Sequence, residues 1–171
     1  MKNILKSVLL SASVILTSFV NAQSSDVVDI AISSKDHTTL VAAVKAADLV
    51  TTLKGTGPFT VFAPSNSAFD KLPKGTVENL LKPESKAALV KLLIYHVVSG
   101  KLMASDVLTA IKAGKGKAVV KTIQGEDLTA TLVDGKVILT DAKGGKSTVT
   151  ATDLNATNGV VHVIDSVVMP K

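Results

Sequence analysis

The chain has no cysteine, no tryptophan and no arginine. Lacking cysteine, it can form no disulfide, thiolate metal site, cysteine nucleophile or lipid-modified N-terminal Cys. All 19 basic residues are lysine. Lysine is a hydrated point charge, whereas arginine reads phosphates and guanine edges bidentately. A dedicated nucleic-acid domain is therefore not expected. Aromatics are scarce too, Tyr95 and four Phe, so the core must be built from Val, Leu, Ile and Ala. Beyond the N-terminus no apolar run is long enough to span a bilayer.

What is present is a globular composition, with 46% apolar and 19% charged residues in 171. Residues 1–22 read as a secretory signal peptide. Lys2 and Lys6 form its positive start, Ser7–Phe19 its apolar stretch, and Val20-Asn21-Ala22 a small-residue cleavage site. The remaining 23–171 fit one domain, about 150 residues, large enough for its own core. The net charge of +5 falls to +3 when Lys2 and Lys6 leave with the leader, which suits a solvated lysine-rich surface.

Gly57-Pro58 breaks the chain ahead of Phe59–Ala63, whose aromatic and β-branched residues predict a buried strand. Pro64 ends it, and Ser65 reads as the N-cap of a short helix carrying Ala68, Phe69 and Leu72. Upstream, Ser25 or Asp26 is placed to cap one helix and Asp36 a second, which carries Leu40, Val41, Val44 and Ala47. Downstream, Pro83 opens a helix running to Tyr95, in which Leu89, Leu92, Leu93 and His96 share one stripe. Met103–Ile111 predicts another helix. From Ala118 the period changes to two: Leu128, Ala130 and Leu132 alternate with Thr129 and Thr131. Asp134-Gly135 is a type I′ hairpin signal, Gly144-Gly145 marks a second turn and Asn158-Gly159 a third. Val160–Ile164 predicts a strand buried on both faces.

Three segments together resemble the fasciclin (FAS1) domain family. They are Thr60-Val61-Phe62-Ala63-Pro64 with Ala68-Phe69, the Tyr95-His96 region, and Asn158-Gly159-Val160-Val161-His162 through Asp165. Ser99 stands where members usually carry Pro. The resemblance implies an α+β fold, a compact wedge-shaped β-sandwich with several α-helices packed along one side. It also implies structural motif roles for Thr60, Val61, Phe62, Ala63, Pro64, Asn158, Gly159, His162 and Asp165.

The residues themselves place His96 as a buried imidazole that fixes a helix-to-strand corner, His162 as a core histidine, and His37 in solvent near a helix start. The resemblance adds Tyr95 and His96 as candidates for an adhesion surface, because animal members are thought to engage integrins through that region. It adds Asp153 and Leu154, aligned with an integrin-recognition pair whose flanks are absent here; a strand-ending turn is the competing reading. Gly144-Gly145-Lys146-Ser147 lacks the first glycine and the helix of a phosphate loop. The three His have no metal-site spacing, and no nucleophile elbow, Ser-x-x-Lys or paired-carboxylate motif is present. No metal, cofactor or catalytic residue is assigned.

The expected protein is therefore secreted (extracellular, cell-surface or periplasmic), monomeric and non-catalytic. It would mediate adhesion to a surface protein or a cell-envelope polysaccharide, without a nucleic-acid partner or a membrane span after leader cleavage. The alternative is a periplasmic small-molecule or lipid binder, which requires an apolar cavity of several hundred Å3 lined by Val and Leu.

Overall fold

A computed structural model describes residues 24–171. The expected leader lies outside them. Helix α1 (Val27–Ser33) starts at Asp26, whose carboxylate accepts the N–H groups of Val28 and Asp29, both at 2.9 Å. Asp29 returns the bond to the Asp26 N–H, closing a capping box. Lys54 then pairs with both carboxylates, at 2.8 and 2.6 Å.

Two other caps differ from expectation. Ser34 caps a 3-10 turn, Lys35–His37, and Asp36 sits inside that turn; α2 (Thr38–Ala46) follows without a side-chain cap. Ser65 does precede α4 (Asn66–Asp70), yet its hydroxyl meets the Ser67 hydroxyl at 2.9 Å rather than a backbone N–H. Between them lie α3 (Val50–Leu53) and β1 (Phe59–Pro64). The chain continues through α5 (Thr76–Leu80), the 3-10 turn Pro83–Ser85, α6 (Lys86–Tyr95), β2 (Val97–Ser99) and α7 (Ala104–Ala113).

The strands β3 (Lys117–Lys121), β4 (Asp127–Val133), β5 (Lys136–Thr140), β6 (Lys146–Ala156) and β7 (Gly159–Ile164) complete one sheet of order β2-β1-β7-β6-β5-β4-β3. β1 and β7 are parallel, with Phe62 opposite His162; the other pairs are antiparallel. The long β6 pairs with β5 at one end and β7 at the other, so it belongs to both layers of the sandwich. A bridge between Val98 and Thr122 brings the sheet's two ends together.

Strand alternation builds two cores. Phe59, Val61 and Ala63 of β1 face a helical core with Val28, Leu40 and Leu93, while Phe62 faces a second core with Tyr95, Leu128, Leu139 and Ile164. Each fully buried aliphatic side chain contributes about 1.5–3 kcal/mol, so the few aromatics suffice. Leu128 and Ala130 are fully buried as their alternation predicts, but Leu132 is 40% exposed. It lies beside the exposed Asp134-Gly135 turn, beyond the packed part of β4. Both turn residues have positive φ, 50° and 77°, as the hairpin signal requires.

The β6–β7 turn is displaced by one residue. Thr157 and Asn158 form it, and Gly159 already begins β7 opposite Phe59. The reason is long-range. Asn158 accepts the Val27 N–H at 3.0 Å, donates to the Leu53 and Gly55 carbonyls at 2.8 and 3.0 Å, and its own carbonyl takes the Phe59 N–H at 2.9 Å. A Cβ at Gly159 would stand 2.0 Å from the Phe59 oxygen, so only glycine fits this crossing.

Candidate functional site

The motif residues turn their polar groups inward. The Thr60 hydroxyl donates to the Gly100 carbonyl at 2.7 Å and accepts the Leu102 N–H at 2.9 Å, pinning the segment after β2 onto β1. His162 stacks on Phe62 with ring centroids 5.7 Å apart. Its Nε2 donates to the Leu102 carbonyl at 2.7 Å, and its Nδ1 accepts the Asp153 N–H at 3.3 Å. The Asp165 carboxylate accepts the Thr148 N–H at 2.8 Å and the Ser166 hydroxyl at 3.0 Å, with Lys71 3.5 Å away. Burial pushes the Asp165 pKa up, but these bonds and the lysine charge outweigh it and hold it below the usual value.

At the helix-to-strand corner, α6 delivers Tyr95 and the C-capping His96 into the sandwich. The Tyr95 side chain is 0% exposed and His96 2%. The Tyr95 hydroxyl donates to the Asp127 carbonyl and accepts the Ala142 N–H, both at 3.0 Å. Burial raises its pKa, and the nearby Asp141, Glu126 and Asp127 charges raise it further against the Ala142 N–H. His96 donates from Nδ1 to the Leu92 carbonyl at 2.8 Å and accepts the Val168 N–H at Nε2, 3.3 Å. A donor on one side and an acceptor on the other describe a neutral imidazole, and burial lowers its pKa to about 4. As a surface for a partner, Tyr95 and His96 must be set aside. His96 ends the α6 stripe of Leu89, Leu92 and Leu93, and Tyr95, on the adjoining face, lies in the core of Phe62, Leu128 and Leu139, so both are braces within the core.

Asp153 and Leu154 stand elsewhere and share no hydrogen-bond partner with that corner. They occupy a part of β6 where the register against β7 shifts twice, between Val149 and Ala151 and between Ala151 and Leu154. Asp153 is half-buried with φ 59°, and its Oδ1 accepts the Ala104 N–H at the start of α7, 2.8 Å. Leu154 is 38% exposed, next to exposed Thr152 and Asn155. The bulge sends an apolar side chain outward while Asp153 ties the strand to a helix.

His37 is not in solvent. It is 5% exposed, with Nδ1 2.8 Å from the Ser34 hydroxyl. Burial lowers its pKa, opposed by the nearby Ala63 carbonyl and the Asp36 charge. The 3-10 turn that replaces the expected cap folds the ring inward. Sequence reasoning also missed Asp141, which accepts the Lys143 and Gly145 N–H groups at 2.9 and 2.7 Å and the Met169 N–H at 2.8 Å. An Asp preceding a Gly-Gly turn was the available signal. Among the described residues no His, Asp and Glu side chains group as metal ligands, and no helix is long and apolar enough to cross a membrane. The apolar space lined by Val28, Leu40, Val44, Leu53, Val61 and Leu93 holds about 40 Å3. That is far short of the several hundred Å3 a lipid or drug-sized ligand requires.

The sequence pattern of the fasciclin domain is matched over residues 35–170. The chain belongs to the fasciclin domain family. It is 51% identical over 144 residues to protein sll1483 of Synechocystis, covering 84% of this chain and 73% of that one. To immunogenic protein MPB70 of Mycobacterium bovis it is 34% identical over 157 residues, 88% of this chain and 72% of that one. Human periostin is 32% identical over 135 residues, 79% of this chain but only 15% of that one. The fold is similar to half of a FAS1 domain pair from the insect cell adhesion molecule fasciclin I, with a TM-score of 0.73 at 18% identity, covering 83% of this chain and 50% of that one.

Proposed function

We propose that this fasciclin-domain protein is exported and acts by adhesion, binding a surface protein or cell-envelope polysaccharide through the bulged part of β6, without catalysis. The observation that carries this reading is the contrast within the motif residues. Thr60, Tyr95, His96, Asn158, His162 and Asp165 are committed to internal hydrogen bonds, whereas Leu154 is offered to solvent on an anchored bulge. Asp153 is the residue that holds the bulge, and Leu154 is the contact. The export reading rests on residues 1–22, and the adhesion reading on kinship with fasciclin domains. Immobilised residues 24–171 should bind a cell or envelope fraction saturably. Leu154→Asp should weaken that binding at least tenfold while melting within about 1 °C of the parent, because surface changes cost little. Absence of saturable binding to every fraction would remove the adhesion reading, and unchanged binding by Leu154→Asp would move the contact off β6.

A further inference from the structure

The end of the sheet opposite the β5–β6 turn carries the loop joining α7 to β3 and the hairpin joining β4 to β5. From the last turn of α7 into β3 the chain reads Lys112-Ala113-Gly114-Lys115-Gly116-Lys117, and each of these residues is exposed. It closes α7 with paired backbone bonds, Gly116 N–H to the Ile111 carbonyl at 2.8 Å and Lys115 N–H to the Lys112 carbonyl at 3.3 Å. That is a Schellman cap, whose left-handed position ordinarily takes glycine. Here the position is Lys115, at φ 56°, between two glycines. Gly114 has no alternative, since a Cβ there would lie 2.0 Å from the Lys117 oxygen. A cation thus occupies a left-handed loop position where local preference favours glycine.

Across the sheet, Lys117 pairs with Thr131 and Lys136 with Val133, so the loop and the hairpin share one end and one outer face. Neighbouring strands are about 4.8 Å apart, which sets Lys117 beside Thr131 and Lys136 beside Val133. Val119 is 59% exposed, Val133 51% and Leu132 40%. Lys54, Lys71, Lys86, Lys91 and Lys121 all form ion pairs, but Lys112, Lys115, Lys117 and Lys136 form none among the described residues. Asp134 is the acid at this end, on the hairpin itself.

We propose that this end is a docking surface for an anionic lipid membrane, with Lys112, Lys115, Lys117 and Lys136 on the headgroups and Leu132 and Val133 entering the acyl boundary. Free lysines would suit any polyanion. Aliphatic side chains held out at a hairpin tip favour lipid, because only a membrane offers an apolar layer beneath the negative charge. The attachment is peripheral and does not depend on which partner β6 binds.

The test uses residues 24–171, which contain both cores and all seven strands, so that the apolar leader cannot contribute. Sedimentation with vesicles of equal phosphatidylglycerol and phosphatidylcholine should show binding at least tenfold tighter than with pure phosphatidylcholine. Changing Lys115, Lys117 and Lys136 together to Gln should lower it roughly hundredfold, about fivefold per lysine. Leu132→Ser with Val133→Ser should keep the low-salt binding and lose the part that survives about 0.5 M NaCl, where charge is screened. Lys115→Gly should melt about 2–4 °C higher while binding about fivefold more weakly. Failure of the folded parent to bind phosphatidylglycerol vesicles overturns the proposal. So does equal competition by a soluble acidic polysaccharide with no effect of the Leu132 and Val133 changes, which would assign the lysines to a glycan.

Discussion

Two regions carry the motif residues that resemblance marks as binding candidates, and they are built in opposite ways. At the Tyr95-His96 corner every polar atom is matched: the phenol bridges β4 to the segment after β5, and the imidazole bridges α6 to the C-terminal tail. At Asp153-Leu154 the strand is bulged, one side chain braces α7, and its neighbour faces water. The first arrangement makes a partner's access costly, because exposing either ring would leave buried donors and acceptors unpaired. The second leaves an apolar group whose burial by a partner gains free energy and breaks nothing. A motif residue can therefore mark a fold's fastening as readily as its contact surface, and hydrogen-bond satisfaction tells the two apart.

The largest effect that separates them is acid destabilisation of the corner. His96 is held neutral in the fold, with its pKa lowered from 6.5 to about 4. The unfolded chain binds that proton first, so the contribution is fully present above pH 6.5 and is lost as pH falls towards 4. The loss is on the order of 3 kcal/mol. Asp26 and Asp165 also have lowered pKa values, starting from 3.8, so their contributions disappear only at still lower pH. His37 shifts in the same direction as His96, and His37→Asn separates the two. Urea unfolding at pH 7, 6, 5 and 4.5 should show the decline in both the parent and His37→Asn. A flat profile in that variant would mean that His96 is not a buried neutral brace.

A smaller effect tests the phenol. Tyr95→Phe keeps the ring in its fully buried site and removes only the hydroxyl, leaving the Ala142 N–H and the Asp127 carbonyl without their partner. The expected cost is about 1–3 kcal/mol in urea unfolding, with binding to envelope fractions unchanged in the folded protein. A loss of binding at full stability would return Tyr95 to the contact surface.

Much of this contrast could not be read from the chain. The three motif segments, the stripe ending at His96 and the Asp134-Gly135 hairpin are local patterns, and the α+β sandwich followed from them. What escaped was set by distant partners. Asn158 bonds residues more than 100 positions away, which shifted its turn by one residue. Ser34 took the cap expected of Asp36 and carried His37 inward. The stripe showed that His96 faces the core, but not that Tyr95, on the adjoining face, would be sealed by β4 and the chain after β5. Exposure of Leu154 depends on two register shifts that nothing in Thr150–Asn155 announces.

The smallest expected effect bears on Asp153 itself. Its Oδ1 accepts the Ala104 N–H, and its backbone holds φ 59°, a conformation asparagine adopts as well as aspartate. Asp153→Asn keeps that acceptor oxygen and that backbone while removing the charge. If Asp153 is only the brace that presents Leu154, stability should change by less than about 0.5 kcal/mol, since only the attraction between a carboxylate and the start of α7 is lost. Binding to the envelope fraction should then match the parent, in contrast to the tenfold loss in Leu154→Asp. A tenfold loss in Asp153→Asn at unchanged stability would instead put the carboxylate in direct contact with the partner, and would identify that partner's contacting group as a cation or a hydrogen-bond donor.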